Sequence, residues 1–364
     1  MEISTAPPET SIDLLETCVD NLRQLLPPTW KISRVSREVN SSERRPDAFL
    51  KIDAPDGTGA TFVVEIKRLV ERRDVLAILE QARAYAATAK SAPMIVSRYL
   101  SPSVRDAIAK AGGSFMDATG NVRIDVERPS IYVAGGGLDR DPWRNRQGRP
   151  RGTLKGSPAS RVVRALVDLK GPWQVRDLVA EAQVSTGATY RVLEYLQQEG
   201  LIYRNDSGRF EVPEWRAVLE AWSRDYGFIR SNRTTSYIDP RGLTNFTKRI
   251  ADTRDFQWAV TGSLAAERWA SYAPAKLAMV YVESVPSAAT AWGLSPLEAG
   301  GNVILAEPES DVVFRRGSTS ESTQLQFAAP AQVAVDLLTG PGRNPSEGTE
   351  LLNWMERNES VWRR

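Results

Sequence analysis

The chain has no histidine and a single cysteine, Cys18, among its 364 residues. Without imidazole there is no Ser-His-Asp or Cys-His catalytic unit, no histidine phosphorelay and no histidine-based metal site. One thiol builds neither an internal disulfide nor a zinc or iron–sulfur cage. Any catalysis therefore runs on carboxylates, Lys, Tyr or Ser, and any metal is a hard, oxygen-ligated ion such as magnesium. Long apolar runs are also missing: no window offers the roughly 18 uninterrupted apolar residues of a membrane span. Residues 1–9 lack the basic and apolar stretches of a signal peptide. A cytoplasmic protein without membrane contact is expected.

What is present is ordinary for a globular chain, 41% hydrophobic and 25% charged. The length suits two or three domains of about 100–150 residues. Lys and Arg number 47 against 45 Asp and Glu, a net charge of +2. A near-neutral total can hide a basic seam, so the distribution matters more. The clearest seam is the stretch 135–156, which defines a linker over 137–156. It carries Arg140, Arg144, Arg146, Arg149, Arg151 and Lys155 against Asp139 and Asp141, with two prolines and almost no aliphatic residue. It reads either as a solvated tether or as an arm along a phosphate backbone or minor groove. A softer boundary over 214–236, a helical stretch followed by a polar run, reads as a connecting helix and linker. Three modules follow: 1–136, 157–213 and 237–364.

In the first module, Leu15, Cys18, Val19, Leu22, Leu25 and Leu26 recur at helical spacing and predict an amphipathic helix over 11–26, with Cys18 as a small core residue. Strand-like runs at 48–52, 61–66, 94–97, 114–116 and 122–126 interleave with helices at 74–87 and 104–111. That alternation predicts an α/β sandwich around a central mixed sheet. Asp47 opens one strand, and Glu65 and Lys67 close the next, where alternation puts both on one face. Two carboxylates beside one ammonium could hold Mg2+, with the lysine orienting or deprotonating a water for attack on a phosphodiester. Gln81 and Tyr85, four apart on the following helix, share a face that could line the same pocket.

This set resembles the PD-(D/E)XK nuclease-like superfamily, and Gln81 with Tyr85 resembles the Q-x-x-x-Y element of its RecB-like branch. The resemblance implies Asp47 and Glu65 as metal ligands, Lys67 as catalytic lysine and Gln81 and Tyr85 as active-site supports. Glu16 is a positional match for an additional upstream acid. The other reading of Asp47, Glu65 and Lys67 is a structural ion-pair cluster on an inactive scaffold. Asp117 to Asn121 reads as a turn between strands, and resembles a D-x-x-G-N element of such domains when they precede a winged helix.

In the second module, Val162, Val163, Leu166 and Val167 form one helical face, Val175, Leu178 and Val179 a second, and Tyr190, Val192, Leu193 and Leu196 a third. Ser185 is a suitable N-cap for a helix over 186–198, and Gly200 ends it. Residues 201–212 then read as strand, tight turn, strand. Three helices and a hairpin make the winged helix-turn-helix plan, and the run Leu196 to Arg204 resembles the end of the recognition helix in bacterial regulators. The N-terminal residues of such a helix face the major groove of double-stranded DNA. The candidates are Ser185, Thr186, Thr189 and Arg191, with Arg204, Asn205 and Arg209 in the wing. Arg144, Arg146, Arg149 and Arg151 of the linker would add phosphate contacts. A protein–protein role for the same module is the alternative.

The third module opens with a strand at 257–260, Thr261-Gly262-Ser263, a helix at 264–270 and a strand at 277–282, the opening of a nucleotidyltransferase fold. The second strand lacks the paired acids that hold magnesium, which argues against transfer chemistry. With Gly301-Asn302, Gln332, Asp336 and Pro341-Gly342-Arg343, residues 157–364 resemble AbiEi-type antitoxins, DNA-binding repressors that neutralise nucleotidyltransferase-like toxins. Gln332, Asp336 and Arg343 read as helix surface and cap. The expectation is an α/β and α+β multidomain chain: a restriction-endonuclease-like α/β sandwich, a winged helix-turn-helix and a degenerate nucleotidyltransferase-like domain. Its expected function is DNA-binding regulation, with a toxin protein or a second copy as partner; the alternative is a Mg-dependent DNA endonuclease.

Overall fold

A computed structural model of the chain describes residues 6–34, 46–89, 91–139, 141–143, 153–297 and 300–364. It is a mixed α/β protein divided into two compact units, one formed mainly by residues up to 150 and one mainly by residues from 151 onward.

The first unit is a seven-stranded mixed sheet between helices. Its elements are α1 (Ser11–Leu25), β1 (Lys31–Arg34), β2 (Ala48–Asp53), β3 (Gly59–Lys67), α2 (Val75–Ala89), β4 (Ala92–Ser97), α3 (Pro102–Lys110), β5 (Ser114–Asp117), β6 (Val122–Val126) and β7 (Ile131–Gly135). Strand order follows chain order. The pairs β3–β4 and β4–β5 are parallel, and the other neighbours are antiparallel. Each parallel pair is joined through a helix, because a crossover must return the chain to the same sheet end. Leu14, Leu15, Cys18, Val19 and Leu22 of α1 bury against Leu50, Phe62, Val64, Met94 and Met116 on one face. On the other face α2 and α3 cover Phe49, Val63, Ile95 and Phe115. Cys18 is fully buried, and burial followed by the nearby Asp117 charge pushes its thiol pKa well up, as suits a core residue. The edge strands β1 and β7 have no counterpart among the expected strands, since an edge needs little apolar pattern.

The second unit holds α4 (Ser157–Asp168), α5 (Val175–Ala182), α6 (Thr186–Gln198), the hairpin β8 (Tyr203–Arg204) and β9 (Phe210–Glu211), then α7 (Trp215–Asp225) and α8 (Phe228–Ser231). It continues through β10 (Arg233–Ile238), α9 (Leu243–Ala251), β11 (Trp258–Thr261), α10 (Gly262–Ala266), β12 (Ala278–Val282), α11 (Val285–Ala291), β13 (Ser295–Pro296) and β14 (Val303–Glu307). The last elements are β15 (Ser318–Thr319), β16 (Gln326–Phe327), α12 (Pro330–Leu338), α13 (Asn344–Arg357) and α14 (Glu359–Trp362). Strands β10 to β16 form one sheet in the order β13-β10-β14-β12-β11-β16-β15.

A single apolar core runs from the α4–α6 helices into this sheet. Helix α7, expected as a connection, is part of it: Trp215, Val218, Leu219 and Trp222 are buried. Helix α12 sits at the centre, packed against α4, α7, α10 and α13. It is apolar nearly all round, with Ala331, Val333, Ala334, Val335 and Leu337 buried, and such a helix has no solvent face. Gln332 and Asp336 are therefore fully buried, which corrects their assignment to helix surface. Arg343, by contrast, does sit at the N-cap position of α13 and pairs with Glu347.

A second tie comes from residues 310–316, around a 3-10 turn at Asp311–Phe314. Ser310 meets Ser157 (3.0 Å), Asp311 pairs with Arg161, Arg315 donates to the Gln183 side chain and Arg316 to Glu181. Gln183, which ends α5, and Arg316 both hold left-handed backbone, with φ of 52° and 58°.

Candidate functional site

Antiparallel pairing of β2 with β3 sets Ala48 opposite Val64, so Asp47, just before β2, lies beside Glu65. Along β3, Phe62 and Val64 face α1, and Val63 faces α2. Alternation then puts Glu65 and Lys67 on the α2 side, where Gln81 descends. The Lys67 Nζ lies 2.9 Å from Glu65 Oε2 and 3.7 Å from Asp47 Oδ2. Gln81 Nε2 donates to both Glu65 oxygens at 3.3 Å, and Asp47 Oδ2 accepts the Ile66 backbone N–H at 2.7 Å. Glu65 is only 1% exposed, whereas Asp47 and Lys67 reach solvent.

Burial works against the Lys67 ammonium, but hydrogen bonding and charge from Glu65 and then Asp47 outweigh it, so its pKa is raised. A lysine held protonated is suited to neutralising an anion or orienting a water, and poorly suited to taking a proton. Tyr85 packs its ring with Phe49, Val63, Ala82 and Ala86, one turn beyond Gln81. Glu16 sits on α1, across the sheet, and pairs with Arg34 at 3.5 Å, so it does not join the set. Two hard carboxylates side by side fit a magnesium ion, which commonly takes one or two protein carboxylates and fills its shell with water and substrate phosphate. Among the described residues no three acidic or thiol groups converge.

The Asp117–Asn121 turn does more than reverse the chain. Asp117 is buried and accepts from the backbone of Leu100, Thr119 and Asn121 and from the Thr119 and Asn121 side chains, at 2.6–3.1 Å. Burial raises its pKa against those bonds. Asn121 in turn accepts from Gly137 N at 2.9 Å and donates to Leu138 O at 3.0 Å, bolting down the segment after β7. A Cβ on Gly137 would sit 2.3 Å from Thr119 O, so only glycine fits.

In the second unit, Ser185 Oγ caps α6 through Ala188 N at 3.4 Å, and Ser185, Thr186 and Arg191 are exposed. Thr189 is not: it is 0% exposed and its hydroxyl donates to Ser185 O at 3.1 Å, which removes it from any groove contact. Tyr190, expected in the core, is instead 45% exposed, one turn beyond Thr186. Arg204 lies over the Phe210 ring at 4.6 Å, and Arg209 is exposed. Asn205 is consumed by the turn. Its oxygen accepts from Ser207 N, Ser207 Oγ and Arg209 N, and its amide donates to Glu211 at 2.6 Å. Arg144, Arg146, Arg149 and Arg151 lie outside the described residues.

The third group was not anticipated. Asp336 accepts from Thr261 Oγ1 (2.6 Å), Tyr281 Oη (2.8 Å) and Gln332 Nε2 (2.9 Å), with Tyr226 Oη at 3.2 Å. Burial pushes its pKa up to about 7 despite these donors. Gln332 Oε1 accepts from Arg164 Nη1 at 3.0 Å, and Arg164 pairs with Asp168 at 2.7 Å, all buried. Arg164 and Asp168, four apart on α4, were the available signal: an ion pair interrupting an apolar stripe. On β12, Met279 and Tyr281 are buried in an apolar cluster with Phe228, and the strand carries no carboxylate.

No known protein family, curated protein or solved structure matches the chain.

Proposed function

We propose that the protein is a DNA-binding transcriptional regulator whose residues 157–213 act as a winged helix-turn-helix. One observation carries the reading. The start of α6 presents Ser185, Thr186, Tyr190 and Arg191 to solvent from a packed three-helix body, with Arg204 and Arg209 exposed on the adjoining hairpin. A helix offering small polar groups, an aromatic and an arginine at its N-terminal half suits base-edge and phosphate contact in a major groove. Following the resemblance to AbiEi-type antitoxins, residues 237–364 would take a nucleotidyltransferase-like toxin or a second copy of the chain. Gel retardation on the DNA upstream of its own gene tests the reading. Retardation that is lost in Arg191→Ala and Arg204→Ala supports it, and equal binding by all three proteins rejects it.

The Asp47, Glu65, Lys67 and Gln81 cluster favours a second reading, a PD-(D/E)XK-type Mg-dependent DNA endonuclease delivered by the same helices. Asp47 and Glu65 would hold the ion, which when bound supplies Lewis-acid polarisation of a phosphodiester oxygen. Lys67 keeps its proton and offers positive charge to the phosphate, while Gln81 fixes the orientation of Glu65. Cleavage of supercoiled DNA with magnesium or manganese by wild type but not by Lys67→Ala decides for the enzyme.

A further inference from the structure

The carboxyl ends of β3, β4 and β5 lie side by side, Lys67 registered with Ser97 and Ser97 with Asp117. In open α/β sheets, this is the edge at which ligands bind. Two arginines stand there, Arg98 one residue beyond β4 and Arg105 in the first turns of α3. Both are mostly buried and both pair with a short segment that follows β7, Asp141 with Arg98 and Asp139 with Arg105, while Arg105 also donates through Nη1 to the Asn121 side chain. The segment is fastened at its start by Asn121, and Tyr99 Oη donates to Asp139 O at 2.7 Å.

Neither guanidinium is saturated, since the Nε of Arg98 and the Nε of Arg105 are buried without a partner. A buried donor left over calls for an explanation in a missing ligand or a function. In each guanidinium the carboxylate takes Nη2 and leaves the adjacent Nε of the same edge spare, and that edge is matched to an oxyanion bound through two adjacent N–H groups. The present occupants differ in grip. Asp141 is 8% exposed and also accepts from Trp143 N at 2.9 Å, whereas Asp139 is 67% exposed. An ion pair open to water to that degree is worth about 0–1 kcal/mol and exchanges readily for another anion.

We propose that Arg98 and Arg105 form a phosphate-binding site for the nucleic-acid backbone on the first unit, and that Asp139 and Asp141 occupy it as the chain's own competing anions. The inference rests on the reading of the protein as DNA-directed. It assigns the first unit a share of that binding which α6 does not provide. In sequence the competitors stand a few residues before the arginines of 144–151.

The test is fluorescence anisotropy of the full-length protein with a short random-sequence duplex over a range of salt. Freeing two arginines should steepen the slope of log K against log salt by about 2, at roughly 0.9 per phosphate engaged. Asp139→Asn with Asp141→Asn should therefore bind about tenfold more tightly at low salt, and adding Arg98→Gln and Arg105→Gln should abolish the gain. An unchanged slope in the double variant, or a gain that survives loss of both arginines, overturns the proposal. Should the double variant fail to fold, Asp139→Asn alone must give a smaller gain of the same sign, and none at that exposed position overturns it equally. Arg191→Ala separates the two readings. If it leaves DNA binding intact the α6 interface fails, while the Asp139 and Asp141 variants still judge the phosphate site.

Discussion

The two units each gather carboxylates, a cation and a glutamine, and arrange them to opposite ends. In the first, Glu65 is buried but its neighbours Asp47 and Lys67 open to solvent, so the cluster can trade its internal ion pairs for a ligand. In the second, Arg164, Asp168, Gln332 and Asp336 are sealed, and almost every polar atom has a partner inside the fold. Polar composition alone does not separate a site from a bolt; access to water does. Buried networks with complete pairing rigidify a core, whereas half-open ones stay available for chemistry.

The comparison can be broken most forcefully at Arg164. Arg164→Ala leaves Asp168 as an uncompensated buried charge and should destabilise the protein by about 3–5 kcal/mol in urea unfolding. A loss under 1 kcal/mol would mean the network is not a structural bolt. Asp336 comes next. Its folded pKa of about 7 stands above the ordinary carboxylate value of 3.8, so the folded state holds a proton that the unfolded chain has released. Stability from this group is greatest below pH 3.8 and falls as pH rises toward about 7. The slope is at most ~1.4 kcal/mol per pH unit, the worth of one proton. Asp336→Asn should remove that slope, read as a wild-type minus variant difference that shrinks from pH 4 to 7 and is flat above.

Lys67→Ala should behave in the reverse manner to Arg164→Ala. Cleavage, where the endonuclease reading holds, should fall by about 100-fold or more, the usual scale for losing one electrostatic contact to a reacting group. Stability should change by only about 1–2 kcal/mol, because Lys67 is part-exposed and Gln81 still donates to Glu65. The smallest effect distinguishes two threonines three residues apart. Where the DNA-binding reading holds, Thr186→Val should weaken DNA binding by about 1 kcal/mol, at the low end for a base contact, while Thr189→Val leaves it unchanged because that side chain faces the core.

Much of the fold was legible where one face of an element is apolar and the other polar. Helix α1 and the strand alternation that joins Glu65 to Lys67 follow from period, and the limits of helix α6 at Thr186 and Gln198 follow from the Ser185 cap and Gly200. Legibility failed where that contrast vanishes. Helix α12 is apolar nearly all round and buries its two polar residues as well, so nothing in its spacing marks Gln332 and Asp336 as interior. Thr189 and Tyr190 were interchanged because a threonine hydroxyl satisfied by its own helix backbone buries without penalty, and tyrosine tolerates water. The acidic partners of Arg98 and Arg105 lie more than 30 residues ahead in a segment that reads only as linker.

The left-handed Gln183 and Arg316, at the place where Arg315 pairs with Gln183 and Arg316 with Glu181, bear on how this protein can be re-engineered. The three-helix segment is not a cassette. Lifted out alone it would leave Arg161, Glu181 and Gln183 without their partners in 310–316, and Arg164 with Asp168 but without Gln332 and the carbonyl of Val312. Replacing α4 to α6 with a foreign three-helix segment should therefore succeed only when residues 310–316 are replaced with it.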